Sequence, residues 1–420
     1  MADSSPLFRE LFSPPECMDE KHNVLVDSLL SYANEKVTSN WTVIAENLRK
    51  HGLLALATST TQSTKQPQEE LNVDLLWPGS AYWSIACGGQ MQVLLELEKK
   101  VHSENREILE DIFNKGPGPE KTTSTKTIEI IFRPDRICGA SGGACSALLC
   151  APGWRDTRFL LNAYLAYARH QEKYGLLKSE WYAVTPFWRE AYLEAARIAP
   201  NTKDLFQKRF IAVRQKADSV WDTPTRKLSN NVVFHNFETS EELASAGVAS
   251  GEATLMGLWS GVEISASKLP TQRFMDGGKA THMNCLDGEE ASGASQKRPR
   301  PFLTYSTYFV EKKSYALYVT PDSVSWLFKR GVDDTLDWLL SENLETERMH
   351  MYRADLWTEE TLSSTSMTRS DVDAHIRHVN ESSKKKLNWG TDSLWDFTQP
   401  FGFGSNANFV NLGALSRRTS

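Results

Sequence analysis

The stretch RICGASGGACSALLC, residues 136–150, constrains this chain more than any other. Gly139, Gly142 and Gly143 crowd around Ser141, with an apolar run before them and small apolar residues after. An ordinary turn needs one glycine or two. Three beside a serine suit a strand that turns sharply into a helix, with the two elements passing too close for a Cβ. Gly139-Ala140-Ser141-Gly142-Gly143 satisfies G-x-S-x-G. In that turn the serine is held on a strained backbone with its hydroxyl free to act as a nucleophile.

The rest of the chain supplies strands and helices in alternation. TIEIIFRPDRICGA, NNVVFHNF and RFM read as strands, and AYWSIA as a short strand running into Gly88-Gly89. FLTYSTYFV and SYALYVT alternate like a hairpin. NVLVDSLLSYANEKV, WTVIAENLRKHG, MQVLLELEKKV, RFLLNAYLAYARHQEKYG, EWYAVTPFWREAYLEAARIA and SEELASAGVAS carry apolar residues at helical spacing. This alternation predicts an α/β fold, with a central, mostly parallel sheet and helices on both faces. Residues 1–75 read as a helical N-terminal extension ending in the polar linker TSTTQSTKQPQEE. Residues 76–330 read as the catalytic domain and 331–420 as a mixed C-terminal extension.

Net charge is −6, which gives no electrostatic case for nucleic acid. The N-terminus has no basic segment leading into an apolar core, and no run approaches eighteen apolar residues. A cytoplasmic location is therefore expected. Six cysteines follow no zinc spacing and read as small buried hydrophobes, so no metal is expected.

A serine nucleophile needs a base. None of the nine histidines stands in a triad context. Asp276 lies in RFMDGG, where a strand ends at Gly277-Gly278. An aspartate there can be aimed into a cleft and can take a serine's proton. Gly88-Gly89, before a helix, can offer amides to an oxyanion.

The order glycine pair, G-x-S-x-G, Asp-Gly-Gly resembles the patatin-like phospholipase family over about residues 78–290. WSIACGGQMQVLLELE is similar to the family's first strand, oxyanion loop and helix, RICGASGGACSALL to its lipase box, and RFMDGG to its Asp-Gly-Gly/Ala motif. NNVVFHNFETSEELASAGVAS resembles the strand and helix before that motif. The resemblance implies a patatin-like three-layer fold and a Ser141–Asp276 dyad without histidine. Gly88 and Gly89 would form the oxyanion hole, with Gly139, Gly143, Gly277 and Gly278 as motif glycines. It implies hydrolysis of fatty-acid esters in glycerolipids, phospholipid or triacylglycerol, with no cofactor and with peripheral contact to membranes or lipid droplets. Two departures stand out: Cys87 before the glycine pair, and KATHMN where Asn-Pro is common. They keep an inactive lipid-binding relative open as an alternative. A Ser-His-Asp α/β-hydrolase is another, drawing on His282, or on Asp371 or Asp373 with His375 or His378. DDTLD, from Asp333, also has the spacing of a magnesium-diphosphate site, as in terpene cyclases.

Overall fold

A computed structural model describes residues 20–51, 53–58, 72–103, 126–130, 133–175, 184–215, 231–251, 262–263, 273–276, 302–307, 309–352 and 408–411. The chain opens with α1 (Glu20–Lys50). Two helices were expected here. No glycine or proline interrupts the stretch, and Val26, Leu29, Ala33, Val37, Trp41, Ile44 and Leu48 form one buried stripe along it. That stripe belongs to the main core, so these residues are not an appendage.

Next come β1 (Leu54–Thr58), β2 (Asn72–Trp77), a 3-10 turn (Ala81–Ser84) and α2 (Ile85–Ser103). The expected strand AYWSIA is therefore the 3-10 turn and the start of α2. The strand lies upstream, in NVDLLW. TIEIIFRPDRICGA divides into β3 (Lys126–Ile130) and β4 (Arg133–Ala140). Among the described residues β3 pairs only with β1, in a separate antiparallel ribbon.

After β4 come α3 (Gly142–Leu148), α4 (Arg158–Tyr174), α5 (Val184–Ile198) and α6 (Thr202–Gln207). They lead to β5 (Arg209–Gln215), β6 (Asn231–His235), α7 (Ser240–Gly251), β7 (Val262–Glu263) and β8 (Arg273–Met275). β9 (Phe302–Tyr305) follows, but the expected hairpin does not form. Residues Val310–Ala316 are 3-10, and β9 instead pairs antiparallel with β10 (Met349–Tyr352), beyond α8 (Pro321–Leu340). α8 runs through position 330, so the expected domain boundary there falls inside a helix. β11 (Asn408–Asn411) closes the sheet.

The main sheet runs β10-β9-β2-β4-β5-β6-β11, with β8 and β7 attached at β5. The fold is α/β. Strands β9, β2, β4 and β5 are parallel neighbours; β10, β6, β7 and β8 join antiparallel. The sheet is thus mixed, with a parallel centre.

Side chains alternate between two buried faces, so the central strands read as near-continuous apolar runs. Leu75, Trp77, Ile137, Ile211, Val213 and Phe234 join the eight described helices in one core. Leu76, Cys138, Ala140, Phe210, Ala212 and Val233 form a second cluster made of strand residues alone. Among the described residues the helices therefore pack on one face, not two. On the other face Arg136 donates to both carboxylate oxygens of Asp74, at 3.0 and 2.6 Å. Asp74 is buried, and this fork ties β2 to β4 in register. Arg136 also lies over Phe210, which stacks on His235.

Candidate active site

Ser141 follows the last residue of β4 and precedes the first of α3. Its backbone sits at φ 51°, ψ −127°. A side chain rarely adopts a positive φ, and such strain persists only where the surroundings impose it. Here they do. A Cβ on Gly142 would strike the Ala81 carbonyl, and one on Gly143 the carbonyls of Trp77 and Pro78. A Cβ on Gly139 would come within 2.6 Å of Ala144 Cα. α3 is thus wedged between its own strand and the turn that follows β2.

That turn is fixed to α3 by polar bonds. Ser146 Oγ donates to the Ser84 carbonyl at 2.8 Å, and Ser84 Oγ lies 2.9 Å from Tyr164 Oη. The neighbouring Tyr82 ring packs against Tyr164, Tyr167 and Trp188. Ser141 is itself buried. Its amide donates to Ser250 Oγ at 2.8 Å, and Ser250 Oγ donates to the Ala212 carbonyl at 2.6 Å. Ser250, at the end of α7, therefore bridges the elbow to β5. Sequence reading passed over it, because only its place beside Ala212 gives it meaning.

Strand register relates Ser141 to Asp276. β4 runs parallel to β5 and its pairing ends at Ala140 opposite Ala212. Two residues on, Arg214 is flanked by Asn231 of β6 and by Met275 of β8. A strand has two edges. β6 takes one, so β8 lies on the edge that β4 has just left. β8 runs antiparallel to β5, so β4 and β8 approach each other head-on in one slot. The step from Ala212 to Arg214 is about 7 Å at ~3.3 Å per residue. Ser141 and Asp276, each one residue past its strand, face that gap across Val213. Asp276 is half-buried. Gly277 and Gly278 lie outside the described residues.

The expected role of Gly88 and Gly89 needs correction. Both lie inside α2, whose helical ladder takes their amides. A Cβ on Gly88 would meet Leu160, and one on Gly89 the backbone of Phe328 and Val332. Gly331 meets Ala86 in the same way. Gly89 and Gly331 mark a helix crossing between α2 and α8, and Gly88 a close contact with α4, not a loop. The turn beside the elbow is Pro78–Ala81. Its Pro-Gly, just after an apolar strand, was a readable turn signal.

The other candidates have structural positions. His22 is on α1, His51 follows its end, His170 packs among Tyr167, Tyr174 and Phe187, and His235 stacks on Phe210. His282, Asp371, Asp373, His375 and His378 lie outside the described residues. Within DDTLD, Asp333 accepts from Tyr32 Oη at 2.7 Å. Asp334 pairs with Arg330 at 2.9 Å and accepts from Tyr305 Oη. The two aspartates thus serve different contacts, and no cluster able to hold a metal occurs among the described residues. Cys87, Cys138, Cys145 and Cys150 are free and buried. Burial pushes the Cys145 and Cys150 thiols up to about 12, so they are not nucleophiles at neutral pH. No described helix is long and apolar enough to cross a membrane.

Comparison with family models, with curated proteins and with solved structures finds no match to this chain.

Proposed function

We propose that this chain is a serine acyl hydrolase with a patatin-like fold, cleaving ester-linked fatty acids from phospholipid or triacylglycerol. One observation carries the reading: a serine at φ 51°, ψ −127° between a parallel strand and a helix, with the Asp276 strand end running into the same slot. Asp276 takes the proton as Ser141 Oγ attacks the ester carbonyl. The tetrahedral oxyanion is held by backbone amides, with Gly142, next to the nucleophile, and the 79–81 turn as the donors nearest to hand. As the intermediate collapses, the protonated Asp276 gives its proton to the departing alcohol and the fatty acid stays on Ser141. Water, deprotonated by Asp276, then releases it. This chemistry calls for no metal and no cofactor.

Placing Gly88 and Gly89 in a helix leaves a single glycine, Gly79, in the turn beside the elbow. That favours, as a second reading, a lipid binder on the same scaffold that does not turn over. A fluorophosphonate, which reacts only with an activated serine, separates the two. An active site gives labelling that Ser141→Ala abolishes, together with fatty-acid release from a panel of phospholipids and neutral glycerides. A binder gives neither.

A further inference from the structure

The described residues expose six large apolar side chains. Val24 and Val43 stand far apart along α1, and Ile198 stands alone. The other three, Tyr174 (37% exposed), Leu317 (42%) and Tyr318 (41%), gather in one place. Gln171 holds them there. Its Nε2 donates to the Leu317 carbonyl at 3.3 Å, and its Oε1 accepts from the Val319 amide at 2.8 Å. Tyr174 lies one helical turn further along the same helix.

This cluster belongs to the serine's edge of the sheet. β9, β2 and β4 are parallel, so the chain leaving β9 emerges at the same end of the sheet as Ser141, two strands away. Trp83 Nε1, from the turn that closes on Gly142, donates to the Lys312 carbonyl at 3.0 Å. α4 starts beside Thr157, near Pro134 and Arg209 at the opposite edge. Its 17 residues span about 25 Å and bring Tyr174 across.

Lysines flank the cluster, Lys173 beside Tyr174 on its helix and Lys312 and Lys313 in the 3-10 turn that leads into Leu317. Lys173 lies over the Tyr174 ring, and Lys312 over Tyr315 and Trp326; Lys313 is exposed between them. Among the described residues the exposed acids near this surface are Glu172, Glu311 and Asp322. Glu311 faces Arg330 at 3.9 Å and Arg348 at 4.0 Å, and Arg330 also pairs with the buried Asp334 at 2.9 Å, so with the three lysines five cations meet four acids among the described residues here. The whole chain carries −6. An anionic surface would repel most of it and attract this face.

We infer that Tyr174, Leu317 and Tyr318, flanked by Lys173, Lys312 and Lys313, form a docking patch for an anionic lipid bilayer that brings the Ser141 edge to the membrane. The inference rests on the lipid-hydrolase reading of that edge. Three side chains about two-fifths exposed cannot supply the ~800 Å² per partner of a stable protein interface. Tyrosines with flanking lysines suit the bilayer interface, where rings sit at headgroup level and cations meet phosphate.

The test is flotation of the Ser141→Ala chain with phosphatidylcholine vesicles, with and without about a third phosphatidylserine. The parent should float with the anionic vesicles, less well as salt rises, and poorly with phosphatidylcholine alone. Tyr174→Ser/Leu317→Ser/Tyr318→Ser and Lys173→Glu/Lys312→Glu/Lys313→Glu should each weaken that binding at least ~10-fold. Val24→Ser/Val43→Ser should float like the parent. The lysine variant removes charge and ring contacts but no apolar side chain, so it carries the test if the apolar one fails to fold. Several results would overturn the inference: no flotation of the parent, both patch variants floating as well as the parent, loss of binding in the Val24/Val43 control, or a parent dimer that the patch variants dissolve. Flotation does not depend on turnover. Fluorophosphonate labelling of the wild-type chain without vesicles does not depend on the patch. Each reading can therefore fail by itself.

Discussion

The hydroxyl of Ser250 accepts the Ser141 amide at 2.8 Å and donates to the Ala212 carbonyl at 2.6 Å, joining the strained turn to the neighbouring strand. Both hydroxyl roles are filled, and Ser250 is fully buried. Ser250→Ala would leave a buried amide and a buried carbonyl without this partner. That costs about 1–3 kcal/mol. Urea denaturation should show the loss, and fluorophosphonate labelling of Ser141 should slow because the turn is less firmly held. Unchanged stability would argue against the bridge.

Gly142→Ala tests the wedge from the other side. The new methyl would meet the Ala81 carbonyl, a backbone atom that cannot step aside as a flexible side chain could. The cost should exceed the ~1–3 kcal/mol of ordinary overpacking, and labelling should vanish. Gly251→Ala is the comparison. No described residue lies within 4 Å of its would-be Cβ. At a helix end, alanine there should be neutral or stabilising by up to ~1 kcal/mol.

Gly89→Ala separates a helix crossing from an oxyanion loop. If Gly89 serves the contact between α2 and α8, alanine lowers thermal stability, and the folded fraction still labels at Ser141. An oxyanion donor would behave in reverse, with stability kept and labelling slowed.

That glycine also shows what could and could not be read in advance. Glycines report a close approach of backbones without saying whether a turn or a crossing helix makes it. Gly142 and Gly143 came with a serine and a strand-to-helix change of pattern, so the elbow was legible. Gly88 and Gly89 came with apolar residues on both sides and drew the strand boundary about ten residues too late. The partner of Gly89, Gly331, is more than 240 positions away, and that of Gly88, Leu160, lies on another helix. The same distance problem hid the antiparallel partner of β9, which lies beyond a whole helix, and the role of Ser250. Asp276 stood out because Asp-Gly-Gly follows a strand. Its relation to Ser141 depends on β8 occupying an edge of β5 that no local pattern announces.

His170 should give the fold an acid limit. Burial first, and nearby Lys173 second, hold its imidazole below the ordinary histidine range. The unfolded chain, with an ordinary value of ~6.5, then binds the proton more readily than the folded one. The stability from this site is complete above that value and is lost as pH falls towards the lowered one. His170→Phe should fit among Tyr167, Tyr174 and Phe187 without a titrating group. Melting temperatures at neutral pH and near pH 5 should differ less in the variant than in the wild type. An equal drop in both would place the acid sensitivity elsewhere.

Asp276→Asn is the sharpest test of the proposed chemistry. The head-on meeting of β4 and β8 puts the two residues on either side of Val213, though 135 positions separate them in sequence. Asparagine keeps the shape and the turn but cannot accept the serine's proton. If Asp276 is the base, fluorophosphonate labelling and fatty-acid release should fall about 10²–10⁴-fold. Ser141→Ala should do at least as much. The double variant should be no worse than Ser141→Ala alone, since members of one catalytic unit do not add. A purely structural aspartate predicts a different pattern, with stability lost in proportion to activity. Denaturation of Asp276→Asn therefore belongs beside the kinetics. Wild-type labelling rates in a stable Asp276→Asn chain would remove the dyad, and the base would then be sought among the histidines outside the described residues.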